Sequence, residues 1–487
     1  MRSLADMAAQ AGIGIDPWYR ALAITSVTAD SRQVMPGSLF VALPGTAADG
    51  RHFIADAVSR GAAAVLALPG TAWPPGVPPR PLITDAAPRR ALARMAAEIS
   101  GRQPDRIVAV TGTNGKTSTV DFLRQLWSLS GRRAASLGTL GLIAPGHAGG
   151  AGLTTPDPVA LAGMLAGLAR EAVQHVAMEA SSHGLHQCRL DGVRLTAAGF
   201  SNLTRDHLDY HGSLDAYRAA KLRLFQVLLP PRSTAVVNAD MDAQTLAALR
   251  DIAMRRRLDL RSVGEQGTTI RLIETRMLPH GQDLLIEARG KRRRVEIALP
   301  GRFQADNALM AACLAEATGT DAAIDLLPHL AGVRGRMELA ATLPNRAAAY
   351  VDYAHTPDAL QRVLAALRPH ANGHRLVCVF GAGGDRDPGK RALMGAEVAS
   401  RADLAIVTDD NPRSENPAAI RAAILAACPG AIEIGDREAA IAAGLTALRE
   451  GDVLVVAGKG HEQGQTIGGT VLPFDDASTL RRLAGAA

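Results

Sequence analysis

The sequence predicts an α/β protein of three domains. A small N-terminal α/β domain spans residues 1–103, a central P-loop ATPase-like domain with a mostly parallel sheet spans 104–331, and a C-terminal Rossmann-like, doubly wound sheet spans 332–487. Three observations support this reading. The chain has 487 residues, more than a single hydrophobic core accommodates. Apolar runs of strand length recur between helical patterns, the alternation that builds parallel sheets. One such run, 107–110, passes directly into a glycine-rich turn, Thr111-Gly112-Thr113-Asn114-Gly115-Lys116-Thr117-Ser118.

Four apolar residues at 107–110 make a short buried strand, and two glycines permit a tight turn with backbone N–H groups facing inward. Beyond it, Val120, Leu123, Leu126 and Trp127 fall at helical spacing. A helix N-terminus that opens onto a lysine and a hydroxyl is an anion site. Gly112, Thr113, Asn114 and Gly115 would cradle the phosphates of ATP, Lys116 would reach the terminal ones, and Thr117 would ligate magnesium. The run departs from the usual pattern in one place, with Val110 where the first glycine of GxxxxGK[ST] stands.

Composition narrows the function class. Apolar content of 47% with 21% charged residues describes a globular protein, and no uncharged 18-residue apolar stretch predicts a membrane span. The first run, MRSLADMAAQAGIG, contains an acid and no cleavage pattern, which argues against a signal peptide. Four scattered cysteines without metal spacing fit a reducing cytoplasm. The net charge of +6 comes with only short basic runs and 3% aromatics, so anionic small molecules suit it better than nucleic acid. Only five of the 53 basic residues are lysine: Lys116, Lys221, Lys291, Lys390 and Lys459. A chain that uses arginine for generic positive charge keeps lysine for tasks needing a compact cation or a free amine.

In chain order, 28–43 alternates turn signals with a short strand, a helix follows to about 60, and 63–67 reads as another strand. A helix over 87–98 precedes the ATP strand. The central region has strands expected at 107–111, 174–179 and 234–238, then hairpins over 262–300. The last region has strands expected at 348–352, 375–380, 403–408, 431–434 and 452–457 with helices between them, the doubly wound pattern.

Several polar clusters close these strands, where ligands of α/β sheets sit. Glu179 in Met178-Glu179-Ala180-Ser181-Ser182-His183-Gly184 is a candidate metal ligand, and so is His207 in the acid- and histidine-rich run 201–212. Lys221 stands beside alanines in a helix over 214–226; a buried lysine loses its charge readily, and the neutral amine takes up CO₂ to form a magnesium-binding carbamate. The run 238–242 could hold ribose or base. Asn307 either caps a helix over 308–317 or contacts adenine. Gly381-Ala382-Gly383-Gly384 only superficially suggests a dinucleotide fingerprint. Asp410 in Asp409-Asp410-Asn411-Pro412-Arg413 could bind an amine and Arg413 a carboxylate, with Glu462 of Gly458-Lys459-Gly460-His461-Glu462 on the same rim.

Taken together and in this order, these motifs resemble the Mur ligases, the ATP-dependent amino-acid-adding enzymes of peptidoglycan synthesis, over essentially the whole chain. The likeness is strongest to the branch that adds the third residue of the stem peptide, and Asp410-Asn411-Pro412-Arg413 looks like its signature for meso-diaminopimelate. The resemblance implies that Ser31, Thr154, Thr155, Ser181, Gln187 and Arg189 contact UDP-N-acetylmuramoyl-L-alanyl-D-glutamate. It implies that Lys116, Thr117, Asn307, Arg336 and Asp352 serve ATP, that Thr117, Glu179, His207 and carbamylated Lys221 serve two magnesium ions, and that Lys116, Glu179, His207 and Lys221 form the catalytic group. Arg386, Asp410, Asn411, Pro412, Arg413, Gly458 and Glu462 would read diaminopimelate. A cytoplasmic monomer is expected. Arg334 departs from the family, which has proline there. The alternatives are a lysine-adding relative, a folylpolyglutamate-synthase-like ligase, and an ATP-binding switch or motor that ligates nothing.

Overall fold

The computed structural model describes residues 2–45, 48–150 and 153–485. The chain divides into two compact units, 1–263 with 310–321, and 264–309 with 322–487.

In the first unit, Ser26–Thr28, Ser38–Val41, Ala64–Ala67 and Leu82–Thr84 form a four-stranded parallel sheet in that order. Residue alternation along Ser38–Val41 sends Leu39 and Val41 into one core and Phe40 into the other, so both faces are covered. The short strand expected within 28–43 is Ser38–Val41, and that expected at 63–67 is Ala64–Ala67; Ser26–Thr28 and Leu82–Thr84 have too few residues to show a period.

The larger sheet of this unit has six parallel strands in the order Ala134–Gly138, His175–Glu179, Arg106–Thr111, Ala197–Phe200, Thr234–Asn238 and Asp259–Gly264. From Arg106–Thr111 the chain builds outward first on one side and then on the other. The connections therefore change direction at that strand, and a crevice opens beyond its carboxyl end. Glu179 is in register with Val110, which brings the acid beside the phosphate turn. The helix Lys116–Leu129 buries Val120, Leu123, Leu126 and Trp127, as their spacing requires.

The second unit carries a meander of Ile270–Leu278, Gly281–Ala288 and Lys291–Ile297. The sequence groups these hairpins with the central domain; by compactness they fall in the second unit. Tyr350 donates its hydroxyl proton to Pro279 O at 2.5 Å, and buried His370 accepts from Gly301 N at 2.7 Å while donating to Leu278 O at 2.6 Å. The main sheet runs Glu338–Thr342, Ala348–Asp352, Val453–Ala457, Leu376–Phe380, Leu404–Val407 and Ile432–Glu433. All five expected strands are present and mutually parallel, and an antiparallel sixth, Glu338–Thr342, joins the edge. Helices cover both faces: Leu360, Met394 and Ile420 belong to one core, Ile441 and Leu480 to the other. A further hairpin, outside the expected strands, pairs Gly464–Ile467 with Thr470–Pro473.

The helix expected from 308 begins at Arg302, which corrects the capping alternative for Asn307. Asn307 lies inside the helix, where its amide donates to Gln304 Oε1 at 3.0 Å. Among the described residues, no helix is long and apolar enough to cross a membrane.

Candidate active site

The first unit brings the phosphate turn, Glu179 and Lys221 together. The turn is stapled from the neighbouring strand end: Ser201 Oγ donates to Asn114 O at 2.6 Å, Asn202 Oδ1 accepts from Asn114 N at 3.0 Å, and Thr113 N donates to Asn202 O at 2.8 Å. Gly112 has φ +145°, and a Cβ there would lie 1.9 Å from Ser201 Oγ, so no other residue fits. Gly115, at φ 82°, precedes the helix that starts at Lys116.

Lys116 Nζ donates to Gly112 O at 2.9 Å and Thr113 O at 2.8 Å. Glu179 is buried; its Oε1 accepts from Thr139 N at 2.7 Å, and its carboxylate bonds the Thr117 hydroxyl. Burial pushes the Glu179 carboxyl up, with Lys116 pulling it back; burial pushes Lys116 down, with Glu179 and Asp206 opposing. Lys221 is completely buried in the helix Leu214–Arg223, its ammonium 2.7 Å from the same Gly112 carbonyl and 4.5 Å from the Tyr217 ring centroid. Burial and then the Lys116 charge drive the Lys221 amine well below its ordinary value.

Glu179 and Thr117 offer oxygen donors of the kind magnesium takes. An amine does not, but a carbamate on Lys221 would, so the donor set fits the ion when Lys221 is modified. His207 sits exposed with φ 51°, its ring 5.0 Å from that of His183. Among the described residues no three His, Cys, Asp or Glu side chains form a metal nest of their own.

Around Glu179 the substrate residues divide. The Thr155 hydroxyl is buried, donating to Glu179 O at 2.9 Å and accepting from Ser181 N at 3.0 Å, so it props the strand end. The Thr154 hydroxyl lies 3.2 Å from that of Thr139, and Ser181 Oγ caps the following helix at Gly184 N. Arg189 donates to Thr155 O at 2.6 Å and to Gln187 Oε1 at 2.8 Å. Gln187 and Arg189 line a cavity of about 370 Å³ together with Asp30, Gln33, Arg89 and Asp157. Ser31 is not among the lining residues: its buried hydroxyl bonds the Asp56 carboxylate. Arg89, Thr139 and Tyr210, whose hydroxyl accepts from Gln187 at 3.1 Å, were missed. Arg89 and Thr139 stand in no run whose spacing sets them apart; Tyr210 lies within the run 201–212, where the acids and histidines draw attention first.

In the second unit, the ends of parallel strands carry the remaining residues. Asp352 gives one carboxylate oxygen to Met337 N at 2.7 Å and the other to Ala354 N at 2.8 Å, while the Arg336 guanidinium lies 5.2 Å from the Tyr353 ring centroid. The run 238–242 in the first unit is likewise occupied locally, with Asn238 bonding Asp240 N and Asp242 capping the next helix. Asp410, Asn411 and Pro412 are buried. Asn411 Nδ2 donates to Glu462 Oε2 at 2.9 Å, which joins two loops, and Arg413 donates to Gly384 O at 2.7 Å. Gly458 has φ +121°, and a Cβ there would meet Asp410 Oδ2 at 2.3 Å. Arg386 is exposed on the loop after Leu376–Phe380. The Arg334 guanidinium pairs with Asp475 at 2.5 Å.

A phosphate turn at a strand end, with a buried acid and a buried amine beside it, defines an ATP-using enzyme of α/β architecture. Three family descriptions match the chain: "Mur ligase family, catalytic domain" over 23–99, "Mur ligase middle domain" over 110–315 and "Mur ligase, glutamate ligase domain" over 335–460. The UDP-N-acetylmuramoyl-L-alanyl-D-glutamate--2,6-diaminopimelate ligase of Caulobacter vibrioides is 55% identical over 471 residues, 95% of this chain and 96% of that protein. The protein of the same name from Rhizobium meliloti is 52% identical over 467 residues, 95% and 94% of the two chains. A solved structure of a ligase of that name superposes with a TM-score of 0.77 at 33% identity, covering 99% of this chain and 98% of its own. A folylpolyglutamate synthase from Mycobacterium tuberculosis shares the fold, with a TM-score of 0.59 at 18% identity over 82% of this chain and 95% of its own. The chain belongs to the Mur ligase family.

Proposed function

We propose that this protein is the ATP-dependent ligase that adds meso-2,6-diaminopimelate to UDP-N-acetylmuramoyl-L-alanyl-D-glutamate, a step in making peptidoglycan precursors and so in cell-wall biogenesis, cell shape and division. The observation that carries the reading is the Asn411–Glu462 bond at 2.9 Å, which gathers an acid, an amide and the Arg413 turn at the carboxyl ends of two strands. Identity above 50% over nearly the whole chain to ligases of this name supports it.

The γ-carboxylate of the D-glutamyl residue attacks the γ-phosphorus of ATP, ADP leaves, and an acyl phosphate forms. The amine of diaminopimelate then attacks the acyl carbon; phosphate leaves, and the amine proton passes to solvent or a nearby base. The phosphate turn orients the triphosphate, and Lys116 neutralises charge that builds on the transferring group. Bound magnesium, two ions in this proposal, supplies further neutralisation of the phosphate oxygens. Glu179, Thr117, His207 and Lys221 as its carbamate would hold it. Two ammonium groups on the single Gly112 carbonyl repel each other, which favours an uncharged Lys221 and hence its reaction with CO₂. Asp410 binds the amine of the amino acid, Arg386 and Arg413 its carboxylates, and Gln187 and Arg189 the peptide-bearing substrate. Asn307, Arg336 and Asp352 complete the nucleotide set. Four free cysteines, three of them buried, suit a cytoplasmic enzyme.

L-Lysine lacks the distal carboxylate and leaves an arginine unmatched, a defect that gives discrimination of about 10⁴. The decisive measurement is phosphate release from ATP with the UDP-linked dipeptide and either diaminopimelate or L-lysine. Release with diaminopimelate and little with lysine is expected. A preference for lysine overturns the specificity, and no release with either overturns the ligase reading.

A further inference from the structure

Of the five lysines, Lys459 is one for which the ligation steps provide no task. It follows the strand Val453–Ala457, its side chain fully buried at 0% exposure, and its Nζ donates to Asn411 Oδ1 at 2.8 Å. The same ammonium lies 3.6 Å from Glu462 Oε2. Asn411 Oδ1 also accepts from Thr466 N at 2.9 Å, while its Nδ2 donates to Glu462 Oε2.

These bonds leave the carboxamide a single orientation. A lysine ammonium and a backbone N–H are donors only, so the Asn411 atom facing both is the oxygen. The amide nitrogen must then face Glu462, a carboxylate that only accepts. Glu462 keeps 35% of its side chain exposed while its cation is sealed beneath it. A ligand therefore meets the acid, already aimed by the amide, and never the lysine. Arginine could not substitute, because its planar fork needs several acceptors in one plane, whereas the buried site presents one amide oxygen and one carboxylate oxygen.

We propose that Lys459 is a positioning residue for the incoming amino acid, locking the Asn411 carboxamide and through it the Glu462 carboxylate into the arrangement that receives one of the two ammonium groups of diaminopimelate, the other being held by Asp410. This rests on the reading that the 410–413 and 458–462 loops bind the amino acid. Losing a charge-assisted bond at a buried amide weakens the site by about tenfold or more.

The test is steady-state kinetics of Lys459→Met, Lys459→Arg and Asn411→Ala, and of the Lys459→Met/Asn411→Ala pair, with each substrate varied in turn. In Lys459→Met, KM for diaminopimelate should rise about tenfold or more while KM for ATP and for the UDP-linked dipeptide stays unchanged. Lys459→Arg should not restore it. The double variant should be no worse than Asn411→Ala alone, because the lysine acts through that amide. Additive effects, or a uniform rise in all three KM values, would overturn the proposal. Lys459→Gln keeps a donor without the charge; it should fall between wild type and Lys459→Met, and it carries the test if the methionine variant does not fold. Glu462→Gln separates the two readings. If it leaves KM for diaminopimelate unchanged, the loops are not the amino-acid site. If it raises that KM while the Lys459 variants do not, only the role of Lys459 fails.

Discussion

The Gly112 carbonyl oxygen accepts from two lysines, at 2.9 Å from Lys116 and 2.7 Å from Lys221, and this crowding sets what either residue tolerates. Arginine at 221 would bring a permanent second cation and no route to a carbamate. Lys221→Arg should lose about 10²–10³-fold in kcat, the scale of one lost electrostatic group in an active site, with its melting temperature showing whether the larger side chain is accommodated. A loss under tenfold would show that Lys221 is a structural cation. Gly112→Ala should fail differently. Its Cβ would meet Ser201 Oγ at 1.9 Å at φ +145°, so the turn must open, at about 1–3 kcal/mol for the backbone alone. ATP binding, followed by nucleotide-dependent thermal shift, should disappear in this variant. Lys116, Glu179 and Lys221 were legible in the sequence because a turn pattern, a strand end and a lysine in an arginine-rich chain each mark one residue. The stapling of the turn by Ser201 and Asn202 was not, since it depends on which strand lies next to it.

At the scale of strands and loops, Asp452 ties three pieces of the C-terminal sheet. Its carboxylate accepts from Arg375 N at 2.9 Å, Arg375 Nη2 at 2.6 Å and Arg449 N at 2.8 Å, from a position only 2% exposed. Burial alone would raise its pKa, but the Arg375 and Arg449 bonds together outweigh this and hold it below its ordinary value. A depressed pKa means that this stabilisation is fully present above the unfolded value of about 4 and is lost as pH falls through the lower folded value. Asp452→Ala should therefore cost about 1–3 kcal/mol in urea unfolding at pH 7, because it leaves two backbone N–H groups and the part-exposed Arg375 guanidinium without their acceptor. The gap from wild type should narrow as the medium is acidified below pH ~4; a gap independent of pH would refute the ion-pair account. The five parallel strands of this sheet were readable from apolar runs between helices. Glu338–Thr342 was not, because its alanines carry no period, and neither was the hairpin from 464, whose Val471 and Leu472 are exposed.

For the molecule as a whole, the scarcity of lysine makes a simple labelling experiment informative. Lys221 and Lys459 are buried, Lys116 and Lys390 are half-buried, and Lys291 is exposed on a hairpin. Mild acetylation followed by peptide mass spectrometry should modify Lys291 first and leave Lys221 and Lys459 intact until the protein unfolds. Early modification of Lys459 would contradict its burial. The three-part layout was legible from the order of motifs. The compact grouping was not, because no residue between 264 and 321 signals that Tyr350 and His370 will grip the meander.

That grouping makes the protein poorly divisible. Residues 310–321 belong with the first unit, where Met310 and Leu314 pack against Gly199 and Thr318 receives the Trp127 indole N–H at 3.0 Å. The chain thus passes between its two units three times. A gene exchange that joined two relatives at one point near 263 would leave the second unit whole but build the first unit's core from one parent's 1–263 and the other parent's 310–321. Working hybrids of such enzymes should arise from paired crossovers that move 310–321 along with the N-terminal segment, so recombination in this family should leave mosaics rather than simple head-to-tail fusions.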